Sequence, residues 1–413
     1  MMKHYVIIGN GTAAVGCIEG IRTVDKESPI TVVSGENRHV YCRPLISYYL
    51  EGMTDIEKMK YRKDSFYSDN NCEVLYGKHA VSVDKDKKTV QLDDGEVLNY
   101  DELCVAAGSR SFVPPFEGLD TVEKKFNFMT LDDALALESA VEPDSKVLIV
   151  GAGLIGLKCA EGIQERVGSI TVCDLADRVL SSILDSECSE LMSRNLEEHG
   201  ISLMLGDTAV RFDKNTAYMK SGSEVDFDVL VLAVGVRANI SLVRDAGGEV
   251  NRGIIINNRM QTTIDNIYAA GDCTEGKDSS DGQNRVIAIL PNAYMQGKCA
   301  GVNMAGGDET FDNAIPMNSI GFFGMNAMTA GQRPDDAEVY EEKSDNRIKK
   351  LYTKDGYLTG FMMINCAERT GIYTSLIRNK TPLDSVDFDL LKKNPGLMTF
   401  GENYTGKKLG SVV

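Results

Sequence analysis

The order of hydrophobic and polar positions near the N-terminus predicts the first elements of the fold. An apolar run at 5–8 leads into a glycine-rich stretch at 9–14, and apolar residues then recur at helical spacing until a second apolar run at 30–33. Short continuous apolar runs are typical of buried strands, whereas a period of three to four residues is typical of helices. The first 36 residues therefore predict a βαβ unit with a tight turn after its first strand.

The same order returns in the middle of the chain. The apolar run 147–150 precedes the sequence GAGLIG at 151–156, a helical pattern continues to residue 167, and the run 170–173 ends at Asp174. A second βαβ unit is predicted here. The later run 229–234, which ends at Gly235, is too apolar for a sheet edge and predicts a central parallel strand.

The remaining patterns are of other kinds. Residues 72–98 alternate apolar and polar positions and predict a β-meander, and 274–285 predict a polar loop. From residue 315 onward the chain is rich in Met and Phe and contains two strand-like runs, at 350–352 and 358–362. The predicted fold class is therefore α/β, with two Rossmann-like dinucleotide-binding domains.

The glycine turns indicate the ligand. In the first turn Gly9 makes the bend, Gly11 lets the backbone approach a pyrophosphate, and the small Ala14 lets helix and strand pack closely. The helix that follows offers free N–H groups and the positive end of its dipole. In the second unit Asp174 stands where an acid binds a ribose 2′-hydroxyl and repels a 2′-phosphate, which favours NAD over NADP.

Composition and charge exclude several other classes. The net charge of −17 argues against nucleic acid, and no apolar run reaches the ~20 residues of a membrane span. The ten cysteines contain no C-x-x-C pair, so no metal site is predicted. No signal-peptide pattern precedes the strand at 5–8, which predicts a cytoplasmic protein.

Five motifs occur in a fixed order: GNGTAA at 9–14, CVAAGS at 104–109, GAGLIG at 151–156, VLAVGVRAN at 231–239 and TTIDNIYAAGDC at 262–273. Together they resemble the pyridine nucleotide-disulfide oxidoreductase superfamily. The segment YCRPLIS at 41–47 is similar to that of its rubredoxin- and ferredoxin-reductase and nitrite-reductase-like branch. The resemblance implies a discontinuous FAD-binding domain at 1–113 and 240–314, an NAD-binding domain at 114–239, and a C-terminal α+β domain for dimerisation or partner binding at 315–413.

The resemblance also implies which residues hold the cofactors. Those expected at FAD are Gly9, Gly11, Thr12, Ala13, Ala14, Glu36, Arg43, Pro44, Ala107, Gly108, Asp272 and Asn292. Those expected at NAD(H) are Gly151, Gly153, Leu154, Ile155, Gly156, Asp174 and Gly235.

The chain departs from the family pattern at three positions. Relatives carry the ribose-binding acid at the position of Gly35, and Glu36 is expected to substitute one residue later. A glutamate and a lysine of the usual flavin pocket are replaced by Lys158 and Tyr48, which are the predicted catalytic residues. A positive charge at Lys158 would favour the anionic reduced flavin, whereas the alternative is a lysine that extends from its helix into solvent.

The leading hypothesis is an FAD-dependent NADH oxidoreductase that passes electrons to an external iron-sulfur or rubredoxin-type protein without a redox disulfide. One alternative is a thiol-dependent NADH oxidase or peroxidase, or a CoA-disulfide reductase, that uses Cys42. Another is a non-catalytic flavin- and NAD-binding subunit of a redox complex. A homodimer or a subunit of a larger complex is expected.

An acidic redox partner would need a local basic surface, because most of the chain is acidic. The C-terminal segment could provide one through Arg347, Lys349, Lys350, Lys392, Lys393, Lys407 and Lys408. The alternative is that these are ordinary solvated side chains.

Overall fold

The computed structural model describes residues 2–396, which form two compact units. The first unit contains the described residues of Met1–Leu175, Ile201–Lys277 and Asn284–Asp312. The second contains those of Ala176–Gly200, Asp278–Gln283 and Asn313–Val413.

The first unit holds two parallel sheets of five strands each, as the two βαβ patterns predict. The strand order of the first sheet is Ile267–Ala269, Glu102–Val105, Tyr5–Ile8, Ile30–Ser34 and Cys72–Tyr76. The order of the second sheet is Ile201–Leu205, Ser169–Asp174, Lys146–Val150, Val229–Leu232 and Lys125–Phe126. Buried side chains cover both faces of the central strands, which explains their continuous apolar sequences.

Smaller sheets complete the strands of this unit, all antiparallel except for the parallel pairing of Ile254–Ile255 with Thr274–Lys277. They are the meander Ala80–Asp84, Thr89–Leu92 and Val97–Asn99; the meander Ala209–Asp213, Thr216–Met219 and Glu224–Asp226; the ribbon Ser109–Ser111 with Val236–Ala238; and Ile254–Ile255, Thr274–Lys277 and Asn284–Arg285. Its helices are Thr12–Val24, Ile46–Leu50, Phe66–Asp69, Leu131–Ala140, Leu154–Ile163, Ser241–Asp245 and Leu290–Met304, with 3₁₀ turns at Arg43–Leu45, Leu119–Thr121 and Gln164–Arg166.

Two helices of the first unit pack with their backbones in contact. Gly16 and Gly20 of helix Thr12–Val24 face Gly297 and Gly301 of helix Leu290–Met304. A Cβ atom at any of these glycines would lie 2.0–2.3 Å from a backbone carbonyl oxygen of the other helix. The glycines are therefore required for the close approach of the two helices, which brings their N-terminal turns together.

The second unit is built on a five-stranded antiparallel sheet. Its strand order is Met317–Phe322, Met325–Gly331, Tyr357–Ile364, Arg347–Lys354 and Glu338–Ser344. Its helices are Ser186–Glu198, Gly371–Arg378 and Phe388–Lys393, with a 3₁₀ turn at Leu383–Ser385. The α+β character predicted for the C-terminal segment is confirmed in the described residues.

The structure differs from the sequence predictions in three places. Cys72–Tyr76 is not part of a meander. All five of its residues pair in parallel with Ile30–Ser34, so this strand extends the first sheet. The second glycine-turn helix ends at Ile163 and continues as a 3₁₀ turn. The segment 274–285 is not an exposed loop, since Thr274–Lys277 pairs with Asn284–Arg285 and Glu275 is buried.

The predicted boundaries of the three domains remain a prediction. The two compact units divide the chain on a different criterion, and helix Ser186–Glu198, predicted within the NAD-binding domain, belongs to the second unit. Within residues 2–396, no helix has the length and apolarity that a membrane crossing requires.

Candidate functional site

A cavity of about 520 Å³ opens at the carboxyl ends of the strands of the first sheet. This is the edge at which open parallel sheets bind ligands, and the volume lies in the range of small-molecule sites. Nine of the residues predicted to bind FAD line it: Gly9, Gly11, Thr12, Ala13, Glu36, Arg43, Ala107, Gly108 and Asp272.

The first glycine turn has the geometry that a pyrophosphate requires. Gly9 has φ +109°, and a Cβ atom there would lie 2.2 Å from the carbonyl oxygen of Ala106. At Gly11, by contrast, no atom lies within 4 Å of the Cβ position. The helix that begins at Thr12 has no side-chain hydrogen bond at its N-cap, so its first N–H groups can bind an anion. Ala14 is fully buried beneath the turn, as its packing role requires.

Glu36, the acid expected near the first glycine turn, is held in place by hydrogen bonds from its neighbours. A Cβ atom at Gly35 would lie 2.6 Å from Cε1 of His79, so a side chain there would require the His79 ring to move. The Glu36 carboxylate accepts hydrogen bonds from Arg43 Nη2 at 2.6 Å and from the Tyr41 hydroxyl at 2.7 Å. Glu36 therefore lies in the cavity wall with both oxygens already hydrogen-bonded.

Arg43 and Asp272 place opposite charges in the same cavity. Arg43 Nη1 donates to the carbonyl oxygen of Met129 at 2.9 Å. Burial raises the pKa of the Asp272 carboxyl, while the Arg43 guanidinium and a hydrogen bond with Ser109 act in the opposite direction. Such a buried carboxyl is suited to accept a hydrogen bond from a ligand hydroxyl.

Among the described residues, the cavity wall does not include Pro44 or Asn292. Asn292 lies in the first turn of helix Leu290–Met304, where its Nδ2 donates to the carbonyl oxygen of Ile287 at 3.0 Å. Its Oδ1 is buried without a protein partner, and this orphaned acceptor is consistent with a polar ligand group nearby.

The second glycine turn reproduces the backbone of the first. Gly151 has φ +120°, and a Cβ atom there would lie 2.3 Å from the carbonyl oxygen of Ala233. Gly153 has no atom within 4 Å of its Cβ position, whereas one at Gly156 would lie 2.0 Å from the carbonyl oxygen of Gly151. Leu154 and Ile155 form the first turn of the helix that follows.

The predicted ribose acid stands beside this turn. Asp174 ends its strand, and its Oδ2 accepts a hydrogen bond from the backbone N–H of Ala152 at 2.7 Å. Gly235 lies beyond the end of strand Val229–Leu232, with φ +110° and open space at its Cβ position.

The two predicted catalytic residues lie together. The ammonium of Lys158 is 4.7 Å from the ring centroid of Tyr48 and forms an ion pair with Glu161 one turn along its own helix. The helices that carry them pack closely, since a Cβ atom at Gly162 would be 3.0 Å from the carbonyl oxygen of Ser47. Neither Lys158 nor Tyr48 is among the described residues that line the cavity.

Cys42 is half-buried next to Arg43, and burial raises the pKa of its thiol. A raised pKa reduces the thiolate fraction and therefore the reactivity of a cysteine. All ten cysteines lie in the described part of the chain, and all are free thiols.

The expected basic surface of the C-terminal segment is not supported. Lys349 is fully buried and Lys350 nearly so, and Lys350 Nζ lies 2.6 Å from carboxylate oxygens of both Asp185 and Glu187. Arg347 pairs with Glu368, and Lys392 with Asp389. Lys393 is exposed, while Lys407 and Lys408 lie outside the described residues. Alternation along a strand does not distinguish a solvated lysine from a buried ion pair, because both are polar in the sequence.

Several cavity residues escape sequence reasoning. The Tyr67 hydroxyl donates to Asn10 Oδ1 at 2.5 Å and so fixes a side chain of the first glycine turn. The His39 ring contacts that of Tyr67 at a tilt of 58°, with ring centroids 4.9 Å apart, and His39 lines the cavity together with His79. The signal for His39 is its position two residues before Tyr41 in the YCRPLIS segment, whereas Tyr67 has no local signal.

Comparison with known proteins identifies the class. The family model described as pyridine nucleotide-disulphide oxidoreductase matches residues 3–297, so the chain belongs to this family. It is accordingly a flavin-dependent NAD(P)H oxidoreductase that uses FAD and NAD(H). It falls in the branch that includes rubredoxin and ferredoxin reductases.

Two relatives match nearly their full lengths. One is the NADH-dependent phenylglyoxylate dehydrogenase subunit epsilon of Aromatoleum evansii, 31% identical over 92% of this chain and 92% of that protein. The other is an NADH oxidase of Methanocaldococcus jannaschii, 31% identical over 87% of each chain. The chain spans about half of a third relative, the assimilatory nitrate reductase electron transfer subunit of Bacillus subtilis, which is 28% identical over 92% of this chain and 50% of that protein.

A solved structure shares the fold. The reductase chain in the covalent putidaredoxin reductase-putidaredoxin complex matches with a TM-score of 0.86 at 23% identity and covers 99% of this chain and 98% of that one. The predicted fold class, two Rossmann-like domains followed by an α+β domain, is confirmed.

Proposed function

We propose that this protein oxidises NADH and passes the electrons through FAD to an external iron-sulfur or rubredoxin-type protein. The observation that carries the proposal is the pair of open glycine turns on two parallel sheets of one compact unit, with Gly11 and Gly153 both unobstructed. When bound, FAD accepts a hydride from NADH and can release the electrons one at a time. The chain's residues hold and orient the two nucleotides and exclude water between them.

Within this proposal the first turn binds the FAD pyrophosphate, and Asp272 accepts a hydrogen bond from its ribityl chain. Asp174 binds the NADH ribose and disfavours a 2′-phosphate. The Lys158–Tyr48 pair supplies the positive charge and the aromatic ring near the reacting rings. The ion pair with Glu161 holds the Lys158 ammonium beside the Tyr48 ring.

A second candidate function is a thiol-dependent NADH oxidase, and the Methanocaldococcus relative is itself named an NADH oxidase. It would require Cys42 as a thiolate at the flavin. Burial raises the pKa of this thiol, which disfavours that role. A third candidate is a flavin- and NAD-binding subunit without hydride transfer, and the Aromatoleum relative is itself named as a subunit.

Anaerobic titration with NADH tests the proposal. Oxidised flavins absorb at about 450 nm. We expect this absorbance to be lost with one equivalent of NADH. A flavin that does not bleach would support the non-catalytic subunit. Cys42→Ser should retain turnover with a neutral quinone, whereas loss of turnover in a variant that still binds FAD would favour the thiol-dependent oxidase.

The finer expectations belong to the same proposal. They are a cytoplasmic location, a homodimer or larger redox complex formed through the segment 315–413, and the three domain boundaries given above. Size-exclusion chromatography with light scattering tests the oligomeric state.

A further inference from the structure

The two-stranded ribbon of Ser109–Ser111 and Val236–Ala238 carries two facing arginines. Arg110 and Arg237 are directly opposite each other in the register of this antiparallel pair. Residues in that relation point to the same face with Cβ atoms about 5 Å apart, and like charges placed so are destabilising. Both side chains are exposed.

The two guanidinium groups point toward opposite ends of the ribbon, and each contacts an uncharged side chain directly after the other strand. Arg110 Nη1 donates to Asn239 Oδ1 at 2.9 Å, and the Arg237 guanidinium lies 4.3 Å from the ring centroid of Phe112. The flanking residues 107–113 and 234–240 contain no acid. Across residues 2–396, no carboxylate forms an ion pair with either guanidinium.

The chain carries a net charge of −17, so acidic residues are abundant elsewhere in it. Lys350, by contrast, is paired with both Asp185 and Glu187. Two facing, unpaired arginines therefore form a local positive surface, and an external anionic group would relieve their repulsion.

The ribbon is continuous with the cofactor cavity. Ser109 lines that cavity, and because side chains alternate along a strand, it points to the other face of the ribbon from Arg110. Asn239, which holds Arg110, also lines the cavity and donates from Nδ2 to the carbonyl oxygen of Ala107 at 2.9 Å. A partner seated on the arginine face would thus be separated from the cavity by one strand pair.

We infer that the Arg110–Arg237 face is the docking surface for an acidic one-electron carrier protein, which receives the electrons of the proposed reaction. The inference rests on the proposed function. In the balanced reaction NADH loses two electrons and becomes NAD⁺ with release of one proton, and two carrier molecules are each reduced by one electron. Charge complementarity at this face would offset the repulsion that the rest of the acidic surface exerts on such a carrier.

Steady-state reduction of three acceptors tests the inference with the FAD-loaded protein. The acceptors are a rubredoxin or an acidic [2Fe–2S] ferredoxin, the basic carrier cytochrome c, and a small neutral quinone. We expect the variant with both Arg110→Ala and Arg237→Ala to lower kcat/KM for the acidic carriers at least about tenfold more than for the quinone, the scale of electrostatic steering. The variant with Arg110→Glu and Arg237→Glu should also raise kcat/KM for cytochrome c, and the differences should shrink at high salt.

Arg252→Ala is the matched control, because Arg252 is an exposed arginine of the same unit. Equal losses with all acceptors, or a raised KM for NADH as the main effect, would overturn the inference and assign the arginines to cofactor binding. Quinone reduction without any reduction of the acidic carriers by the unmodified protein would also overturn it. Failure to reduce the quinone with FAD bound would instead contradict the proposed function.

Discussion

The two glycine turns share a backbone but differ in the side chains around them. In both turns a Cβ atom on the first glycine would overlap a backbone carbonyl oxygen at the end of a neighbouring strand, whereas the Cβ position of the second glycine is unobstructed. Beside the second turn, Asp174 accepts a hydrogen bond from the backbone N–H of Ala152 in that turn, whereas Glu36, near the first turn, is held by Tyr41 and Arg43. The two turns therefore share a backbone geometry, and the side chains around them make the difference between the two sites.

The helices that follow the turns are also held differently. Glycines let helix Thr12–Val24 pack directly on helix Leu290–Met304, so the N-terminus of the second of these helices also lies at the cavity. Helix Leu154–Ile163 instead packs on the short helix Ile46–Leu50, which brings Lys158 to Tyr48. The first glycine-turn helix is thus fixed by close backbone packing, whereas the second meets helix Ile46–Leu50 at the two side chains proposed to act in the reaction.

The largest expected effect separates the two turns. Gly11→Asp places a carboxylate where the FAD pyrophosphate would bind, and it should weaken FAD binding at least about 100-fold, or about 2.7 kcal/mol. Gly153→Asp should leave FAD bound and weaken NADH to a similar extent. Fluorescence titration with each nucleotide measures both, with Gly371→Asp, at another unobstructed glycine, as the control. Equal loss of both nucleotides in either variant would contradict separate cradles.

The glycine contact between helices should matter next most. Gly297→Ala puts a Cβ atom 2.0 Å from the carbonyl oxygen of Ala13. We expect a loss of about 2 kcal/mol in the free energy of unfolding, typical of overpacking, and a lower occupancy of FAD. Urea unfolding of Gly297→Ala and of the control Gly371→Ala measures the difference. Equal stability of the two variants would show that the helices can separate at little cost.

Asp174 should decide between the two pyridine nucleotides. Asp174→Asn removes the charge that repels a 2′-phosphate, and we expect the ratio of kcat/KM for NADPH to that for NADH to rise about tenfold, or about 1.4 kcal/mol. Asp213→Asn, at an exposed acid of the same unit, should leave the ratio unchanged. A ratio that Asp174→Asn does not move would place nucleotide selection elsewhere.

The smallest effect concerns the pH dependence of the first helix pair. Burial acts to raise the pKa of Glu19, but hydrogen bonds from Arg62 and Tyr294 outweigh it, and the net pKa is lowered. Glu19 therefore stabilises the fold fully above its unfolded pKa of about 4.3. This stabilisation is lost as the pH falls through the lower pKa of Glu19 in the folded protein. Glu19→Gln should cost about 1 kcal/mol at pH 7 and less at pH 3, as ΔG from urea unfolding can show. Glu165→Gln, at an exposed glutamate, should show no such difference.

The local sequence is sufficient to predict both turns because each is a contiguous pattern of glycines between apolar runs. The same is true of the burial of Ala14 and of the strand Val229–Leu232, both of which follow from their neighbours in the chain. The parallel pairing of Cys72–Tyr76 was mispredicted because an alternating strand can lie at the edge of a parallel sheet as well as in a meander. The sequence did not reveal that Lys350 is buried, because its acidic partners Asp185 and Glu187 lie far away in the sequence.

The sequence by itself determined the family, the two nucleotide cradles and the order of the main elements, since these depend on short-range spacing and burial. Only the tertiary structure decided that His79 occupies the space beside Gly35, that Lys158 meets Tyr48, and that Arg110 faces Arg237. Each of these contacts joins segments that are distant in the chain. Their geometry depends on which strands and helices become neighbours, and no local pattern of residues contains that information.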